Sequence, residues 1–445
     1  MIRRPRLDAP GVNSFAAVGV GLAVLGLAAY AFLVFAGRAL GPDDFGLLSV
    51  VWMSIFTLGP GFFIPLEQEV SRAVAARRAS GLGGLPVFRR AMRLDAMFVG
   101  GLIGLLVIAS PAIVPGLLRG QVSLLLGALV ALIAFSVAYP SRGVLAGTGR
   151  FARYGAQLTI EGLARIAIAA ALLVWGSATV GWYGLGLGLP TLIGALCTAP
   201  RAHRYLTDGP PAPTAELSDR LGTLLGTSLL GAVVVNTGAV AVETLSDEAD
   251  RDRAGAFLSA IIVARAMLFL FAAVQAVLLP QLTTHAARGE IDMFVAVLRR
   301  VVVAVGGVGV VGTIACGAVG PWALQVVFGS EFVVSRPIFT TLALASGVYM
   351  VALVLTQAVV ALDRHRATLG AWAASAVSQV LVLGVTARVS LWWAVAVGFL
   401  VAAVVATVVL ARCVHVIIRA SLGSVPDERA PAPLAVDDSL SVEEA

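Results

Sequence analysis

The chain has no lysine and few charges of any kind. Only 13% of its 445 residues are charged, whereas a soluble domain carries about 25%. So few charges cannot cover a globule in water, which excludes an ordinary soluble protein. All 31 basic residues are arginine, and the formal net charge is +6. Because no basic stripe is interleaved with aromatic residues, we expect no nucleic-acid partner.

Cysteine and histidine are also scarce. Cys197, Cys316 and Cys413 lie far apart in apolar segments, which fits neither a disulfide framework nor a metal site. We expect them to be small core hydrophobes. The sequence shows no Ser-His-Asp set, no His/Cys metal cluster and no phosphate-binding glycine loop. We therefore predict no catalytic residues, no cofactor and no metal, and a protein that is not an enzyme.

Apolar residues dominate, with 59% hydrophobic residues and a mean hydropathy of +0.95. A helix that crosses a bilayer needs about 20 mostly apolar residues, and lipid leaves no partner for open backbone groups. The chain therefore predicts an all-α polytopic membrane protein with about twelve spans. Their approximate bounds are 14–37, 46–66, 93–117, 122–146, 154–175, 178–200, 221–243, 256–280, 297–320, 337–361, 367–387 and 390–412. The first is longer than a signal-peptide core and is read as a span.

The arginines predict the orientation, because positive charges accumulate in cytoplasmic loops. With an internal N-terminus, most arginines lie inside. The external side holds Arg38, Arg119, Arg251, Arg253, Arg336 and Arg388. We expect both termini in the cytoplasm and the protein in the cell inner membrane. Arg72, Arg77 and Arg78 then face anionic lipid head groups.

The only long polar stretch between spans is 201–220, and its prolines predict an extended linker. It separates an N-terminal six-helix lobe (1–200) from a C-terminal six-helix lobe (221–418), and we expect a disordered tail over 419–445. A weak repeat places Gly46 near Gly255 and Gly155 on Gly370. Six spans in each half give a parallel pseudo-twofold repeat, which in transporters places the substrate between the halves. Two glycines and two prolines in "GPGFFIP" (59–65) predict a broken or kinked helix.

Four short motifs, in this order, resemble the polysaccharide-flippase (Wzx-type) branch of the multidrug/oligosaccharidyl-lipid/polysaccharide exporter superfamily. They are "RALGPDDFGLLS" (38–49), "PLEQEVSRAVAARRASG" (65–81), "GTGRFARYG" (147–155) and "VFGSEF" (327–332). The resemblance extends over essentially the whole chain. It implies two lobes that open alternately inward and outward. It also implies transport of a polyprenyl-pyrophosphate-linked oligosaccharide from the inner to the outer leaflet for cell-surface polysaccharide biosynthesis.

Charged side chains lie in the middle of two predicted spans. An arginine at a helix centre costs about 2.5–3.5 kcal/mol on insertion scales, so such residues usually face a cavity and a partner. Glu161 and Arg165 are one turn apart and can either pair with each other or bind substrate. Arg265 has no acid within a turn of its helix, which favours an anion delivered as substrate. Arginine matches phosphate oxygens bidentately, so we predict that Arg265 and Arg165 hold the lipid pyrophosphate.

Several polar residues within spans could meet sugar hydroxyls, or could bond to neighbouring helices. We include Asn236, Gln275 and Gln357 among the candidate substrate-binding residues, whereas we favour the helix-bonding role for Gln157 and Gln379. Asp43 and Asp44 fit a helix-cap role at the start of span two. Besides the lipid-linked substrate, we expect contacts with membrane lipids and with polysaccharide assembly proteins.

Besides a purely structural scaffold, two other functions remain open. A cation-coupled small-molecule exporter of the same superfamily would usually carry an acid in span one, and residues 13–37 contain none. Glu161 is then the only well-buried carboxylate expected to titrate. A membrane glycosyltransferase or polymerase could use Asp43 and Asp44. Catalysis needs acids positioned beneath a substantial external surface, however, and the external loops are short.

Overall fold

The computed structural model describes residues 12–176, 179–213 and 221–423. Within these ranges the chain forms α-helices and two short 3₁₀ turns, and no strand. The α-helices are α1 (Val12–Ala79), α2 (Leu85–Gly116), α3 (Val122–Gly147), α4 (Phe151–Trp175), α5 (Val180–Leu185), α6 (Leu189–Ala202), α7 (Leu221–Leu245), α8 (Arg251–Ala264), α9 (Ala266–Ala287), α10 (Ile291–Phe328), α11 (Arg336–Ala361), α12 (His365–Thr386) and α13 (Leu391–Gly423).

Ten helical segments among the described residues are long and apolar enough to cross a membrane. The twelve predicted spans account for this number in a simple way. Spans one and two form the two halves of α1, and they meet at Gly41, which has the positive φ of 72° that favours glycine. Span eight is divided into α8 and α9, and neither of these helices is counted among the ten. Span six is divided into α5 and α6 but is still counted as one span, Val180–Ala199. The all-α polytopic architecture is therefore as predicted.

The backbone breaks do not all lie where the sequence places them. Gly41 is the only residue with non-helical torsion angles inside α1, and the backbone stays helical through 59–65. Of the two outcomes predicted from "GPGFFIP", a broken or a kinked helix, the break is therefore wrong. Membrane helices tolerate proline because neighbouring helices and local adjustments satisfy the freed carbonyl groups. The second interruption lies instead at Arg265, between α8 and α9.

Helices α1–α6 form one group, here called the N-lobe, and helices α7–α13 form the C-lobe. The glycines paired by the weak sequence repeat, Gly46 and Gly255, contact each other across the lobes. A Cβ on Gly46 would lie 3.0 Å from the Cα of Gly255, and a Cβ on Gly255 would overlap the carbonyl oxygen of Pro42. Residues related by a twofold repeat can meet in this way only near its axis.

The same end of the molecule holds further contacts between the lobes, which we call the outer interface because the arginine distribution predicts it to be external. Arg38 donates to the carbonyl oxygens of Val326 and Val327 at 2.7 and 2.8 Å. The Phe45 ring lies 5.3 Å from that of Phe328 and 5.6 Å from that of Phe332. Two motifs that are far apart in sequence, 38–49 and 327–332, therefore pack together.

The three cysteines are less buried than predicted. Cys197 is exposed, and Cys316 and Cys413 are half-buried, so a fully buried core role is wrong for all three. They occupy membrane helices whose outer faces are as apolar as their inner ones, so hydrophobic surroundings did not imply the core.

The described linker residues 206–213 form neither helix nor strand. Helix α13 runs on to Gly423, and the remaining tail lies outside the described residues.

Candidate functional site

Arg265 stands at the break in span eight. Helix α8 ends at Ala264 and α9 begins at Ala266, and the backbone of Arg265 lies between them with φ −88° and ψ −2°. Its amide still donates to the carbonyl oxygen of Ile261 at 3.1 Å. A charged residue in a segment as apolar as "AIIVARAMLFLF" must reach polar surroundings. The break turns this position towards the space between the lobes.

The guanidinium group of Arg265 is only partly satisfied by the protein. Nη2 donates to the carbonyl oxygen of Val235, and Nη1 lies 3.8 Å from the sulfur of Met53. The Phe399 ring centroid is 5.2 Å from Cζ. Nε is buried without a hydrogen-bond partner. Among the described residues, no carboxylate lies within 4.0 Å, so the positive charge has a carbonyl, a thioether and a ring for neighbours.

Arg265 lines a cavity of about 480 Å³ between the lobes. Among the described lining residues, those of the N-lobe all belong to α1, Tyr30 and Met53 among them, and those of the C-lobe belong to α7–α9, α11 and α12 or to Arg265 itself. The walls are mainly apolar and aromatic, with a few polar groups, as in most small-molecule sites. The aromatic lining residues are Tyr30, Trp52, Tyr349 and Trp372.

The three less favoured candidates have different surroundings. Gln357 lines the cavity beside Arg265 and is 8% exposed. Asn236 is 5% exposed, and both its amide atoms are buried without a hydrogen-bond partner, but it is not among the cavity-lining residues. The side chain of Gln275 lies outside the described part of the chain. The cavity therefore brings together two of the predicted residues, Arg265 and Gln357.

Arg165 and Glu161 lie instead in a buried cluster inside the N-lobe. Glu161 pairs with Arg165 at 3.1 Å between Oε1 and Nη2, and its other oxygen pairs with Arg142. Thr191 donates to Oε1 of Glu161 at 2.8 Å. All three charged residues are at most 4% exposed. The i, i+4 pair considered from the sequence is therefore present, with a second arginine added.

Trp52 lies between this cluster and the cavity. One side of the residue lines the cavity, and the guanidinium carbon of Arg165 is 5.4 Å from the ring centroid. Neither Arg165 nor Glu161 is among the cavity-lining residues. The predicted clamp of one arginine from each lobe is thus not formed in this conformation, and the Trp52 ring separates the N-lobe arginine from the space that Arg265 faces.

Three charged residues of the N-lobe were not anticipated. Arg142 lies near the end of predicted span four that is expected to be cytoplasmic, but it is 4% exposed and pairs with Glu161. Glu67 accepts a hydrogen bond of 2.7 Å from Tyr154. Asp95 is fully buried, so the prediction that Glu161 is the only well-buried carboxylate is wrong. The sequence could have identified Asp95 as buried, since this residue lies within the third predicted span (93–117).

The acidic, histidine and cysteine side chains are the possible ion ligands, and the acidic ones are also possible helix caps. Over the described ranges, no group of three or more His, Cys, Asp or Glu side chains is placed to hold an ion. The Asp43 side chain, expected to cap a helix, instead pairs with Arg119 at the outer interface. Asp43 therefore takes part in an ion pair between α1 and the turn that follows α2.

The chain is similar to mycobacterial proteins over most of its length. It is 30% identical over 388 residues to the uncharacterized protein Rv3630 of Mycobacterium tuberculosis, which covers 83% of this chain and 85% of that protein. The uncharacterized protein Rv1510 of the same organism is 30% identical over 383 residues, with the same coverage. No protein-family model matches the chain.

Solved structures with the same fold are transporters. An inward-facing multidrug resistance MATE family transporter of the MOP superfamily superposes with a TM-score of 0.70 at 13% identity, covering 92% of this chain and 99% of that one. The Vibrio cholerae MATE transporter VcmN in its bent form gives a TM-score of 0.64 at 14% identity, covering 92% and 97%. At these identities the likeness shows a common two-lobe helical fold.

Proposed function

We propose that this chain, which belongs to the same family as the Mycobacterium tuberculosis proteins Rv3630 and Rv1510, is a membrane transporter for an anionic lipid-linked sugar. In this proposal it moves a polyprenyl-pyrophosphate-linked oligosaccharide from the inner to the outer leaflet by alternating access. The multi-pass helical architecture and the MATE-type fold support a transporter rather than an enzyme.

The observation that carries the proposal is the state of Arg265. A guanidinium group left in a low-dielectric site without an anion is costly, and its five donors match the oxygens of a phosphate in a planar fork. In the described structure Arg265 faces the cavity with Nε unpaired and no carboxylate in reach. We infer that the missing counter-ion arrives with the cargo.

The walls of the cavity also suit a sugar attached to the phosphate. Aromatic rings offer broad apolar faces together with a polar edge, and the apolar faces of sugar rings pack on such surfaces. Trp52, Trp372 and Tyr349 line the same cavity as Arg265, and the Gln357 amide can bond to hydroxyl groups. A head group that combines negative charge with sugar rings would contact both the Arg265 guanidinium group and the aromatic side chains.

The arrangement of the lobes supports alternating access. The outer interface is closed by the ion pair between Arg119 and Glu243, by carbonyl hydrogen bonds and by aromatic contacts, while the cavity extends along the second half of α1 to Gln68. By the arginine distribution, Gln68 is on the cytoplasmic side. We therefore propose that this conformation receives cargo from the inner leaflet and that opening of the outer interface releases it.

The test is transport by the purified protein in proteoliposomes. A fluorescent polyprenyl-pyrophosphate-linked oligosaccharide is supplied on one side, and its arrival on the other is read with a membrane-impermeant quencher. We expect transport by the wild type and at least about a tenfold lower rate for Arg265→Ala, since one charge-assisted hydrogen bond is worth about 1.5–3 kcal/mol. Arg299→Ala, which removes an exposed arginine at the start of α10, is the matched control.

A cation-coupled small-molecule exporter is the second candidate, and the buried carboxylates of the N-lobe favour it. Glu161 and Asp95 are buried and Glu67 is partly buried, all within helices where a coupling ion could be exchanged. Under this alternative, transport driven by a proton gradient should become independent of pH in Glu161→Gln or Asp95→Asn. A fixed positive charge in the cavity weighs against organic cations as cargo.

The proposed setting follows from the same orientation. We place the protein in the cell inner membrane with both termini in the cytoplasm, where lipid-linked sugars are assembled. Contact with polysaccharide assembly proteins is part of this proposal, as are the lobe bounds 1–200 and 221–418 joined by the linker 201–220. Impermeant labelling of single cysteines placed at the two termini of the chain would test the orientation.

A further inference from the structure

A second pocket lies on the predicted cytoplasmic surface of the N-lobe, away from the cavity between the lobes. It has a volume of about 250 Å³, and its walls include Arg78, Thr148, Arg150, Tyr205 and Thr207. It forms where α1 and α3 end and α4 begins. We call it the cytoplasmic arginine pocket.

One wall of this pocket is the beginning of the linker, which is fixed to the N-lobe by hydrogen bonds. Arg77 is 4% exposed and donates to the carbonyl oxygens of Gly83 and Pro210 at 3.1 and 2.8 Å. The amide of Leu85 donates to the carbonyl oxygen of Thr207 at 3.1 Å. The linker is thereby held against α2, and Tyr205 keeps a defined position beside the arginines.

Two guanidinium groups reach the pocket and retain free donors. Arg78 uses Nη1 to donate to the carbonyl oxygen of Thr148 at 2.5 Å. The guanidinium carbon of Arg150 lies 3.5 Å from the centroid of the Tyr205 ring, and that of Arg153 lies 5.0 Å from it. Stacking occupies the face of a guanidinium group and leaves the N–H donors at its edge available.

Among the residues that the structure describes, no acid lines the pocket to neutralise these charges. Asp208, the acid in the described part of the linker, has a side chain that is 84% exposed and lies 3.8 Å from Arg89. Over the described part of the chain, no carboxylate lies within 4.0 Å of Arg78, Arg150 or Arg153. The pocket is therefore a concave, electropositive site that is lined by arginine guanidinium groups and by an aromatic ring.

We propose that the cytoplasmic arginine pocket binds a phosphate group, with Arg78 and Arg150 donating to its oxygens. Arginine is the residue that best fits the fork geometry of phosphate, and the charge of the pocket matches an anion. The phosphate can belong to an anionic lipid, because the pocket lies where the spans α3 and α4 leave the membrane on the arginine-rich side. It can also belong to a soluble phosphate compound. This site is separate from the cargo cavity and does not depend on its role.

The test measures binding by the purified full-length protein in native mass spectrometry. One arm uses phosphatidylglycerol against phosphatidylcholine, and the other uses glycerol 3-phosphate and inorganic phosphate. The pocket variant is Arg78→Gln/Arg150→Gln, and the control is Arg299→Gln/Arg366→Gln, which removes the same charge from exposed C-lobe positions. Since all four arginines are exposed, both variants should fold.

We expect the pocket variant to lose at least about tenfold in affinity for the phosphate ligand while the control stays near the wild type. Binding of phosphatidylglycerol without binding of the soluble probes identifies a lipid head group as the ligand. Binding of the soluble probes as well identifies phosphate itself as sufficient. If none of the probes binds, or if the two variants lose affinity equally, the proposal is wrong.

Discussion

Arg119 joins the two lobes through Glu243, with 2.6 Å between Nη2 and Oε1. The Glu243 side chain is 2% exposed, and the same arginine also pairs with Asp43 of the N-lobe. Arg119 holds a positive φ of 47°, which is uncommon for a residue with a side chain. The turn between α2 and α3 is therefore held so that one guanidinium group bridges carboxylates from both lobes.

Glu243→Gln should weaken the outer interface, because it removes the buried charge that attracts Arg119. A coupling of about 1–3 kcal/mol would shift the populations of closed and open states about five- to 150-fold. The measurement is labelling of Leu353→Cys, a cavity position, by an impermeant maleimide from outside in a background without native cysteines. We expect faster labelling. Glu248→Gln, which affects an exposed pair with Arg251, should leave the rate unchanged.

Gly255→Ala should open the same interface by steric overlap. Its new Cβ would overlap the carbonyl oxygen of Pro42, and forcing extra atoms into a packed contact costs about 1–3 kcal/mol. We expect faster external labelling of Leu353→Cys than in the wild type. Gly370→Ala is the control, because a Cβ there meets nothing within 4 Å. Equal rates in the two variants would contradict close packing at the pseudo-twofold axis.

Glu161→Gln should destabilise the N-lobe, because it removes the buried negative charge that pairs with both Arg142 and Arg165. Removing one partner of a buried ion pair costs about 3–5 kcal/mol. We expect a clearly lower midpoint of thermal unfolding in detergent. Glu331→Gln, at an exposed acid, should unfold like the wild type. A Glu161→Gln protein of unchanged stability would show that the cluster does not support the fold.

Trp52→Ala should alter both sites that its ring separates. The ring lines the cavity between the lobes and lies over the guanidinium group of Arg165, which stays paired with Glu161. Under the proposed function, removal of the ring takes a stacking surface from the sugar of the cargo. We expect weaker binding of the lipid-linked sugar and little change for polyprenyl pyrophosphate without sugar. Equal losses for the two ligands would argue against a sugar-stacking role.

The sequence predicts the membrane architecture well for a physical reason. Lipid forces spans to be helical and apolar, so length and hydropathy suffice to find them, even where Gly41 joins two of them. The repeat that pairs Gly46 with Gly255 likewise anticipates a contact at the axis. The position of Arg265 at a cavity could also be predicted, because a single charged side chain in an apolar segment needs polar surroundings and a cavity provides them.

The sequence predicts less about which side chains meet. Arg142 lies close to the end of a helix, and only packing of α3 against α4 shows that it is buried against Glu161. Asp43 adjoins a helix start, and its pairing with Arg119 depends on a distant turn. The proline-rich stretch 59–65 keeps its helix, whereas the chain breaks at Arg265, where the sequence contains neither glycine nor proline.

The most direct test of the account is equilibrium binding of polyprenyl pyrophosphate to the purified protein, with neutral polyprenol as the comparison ligand. The account predicts that Arg265→Ala lowers affinity for the pyrophosphate at least about tenfold, that Arg299→Ala does not, and that neither affects polyprenol. If Arg265→Ala binds the pyrophosphate as tightly as the wild type, Arg265 does not hold an anionic cargo.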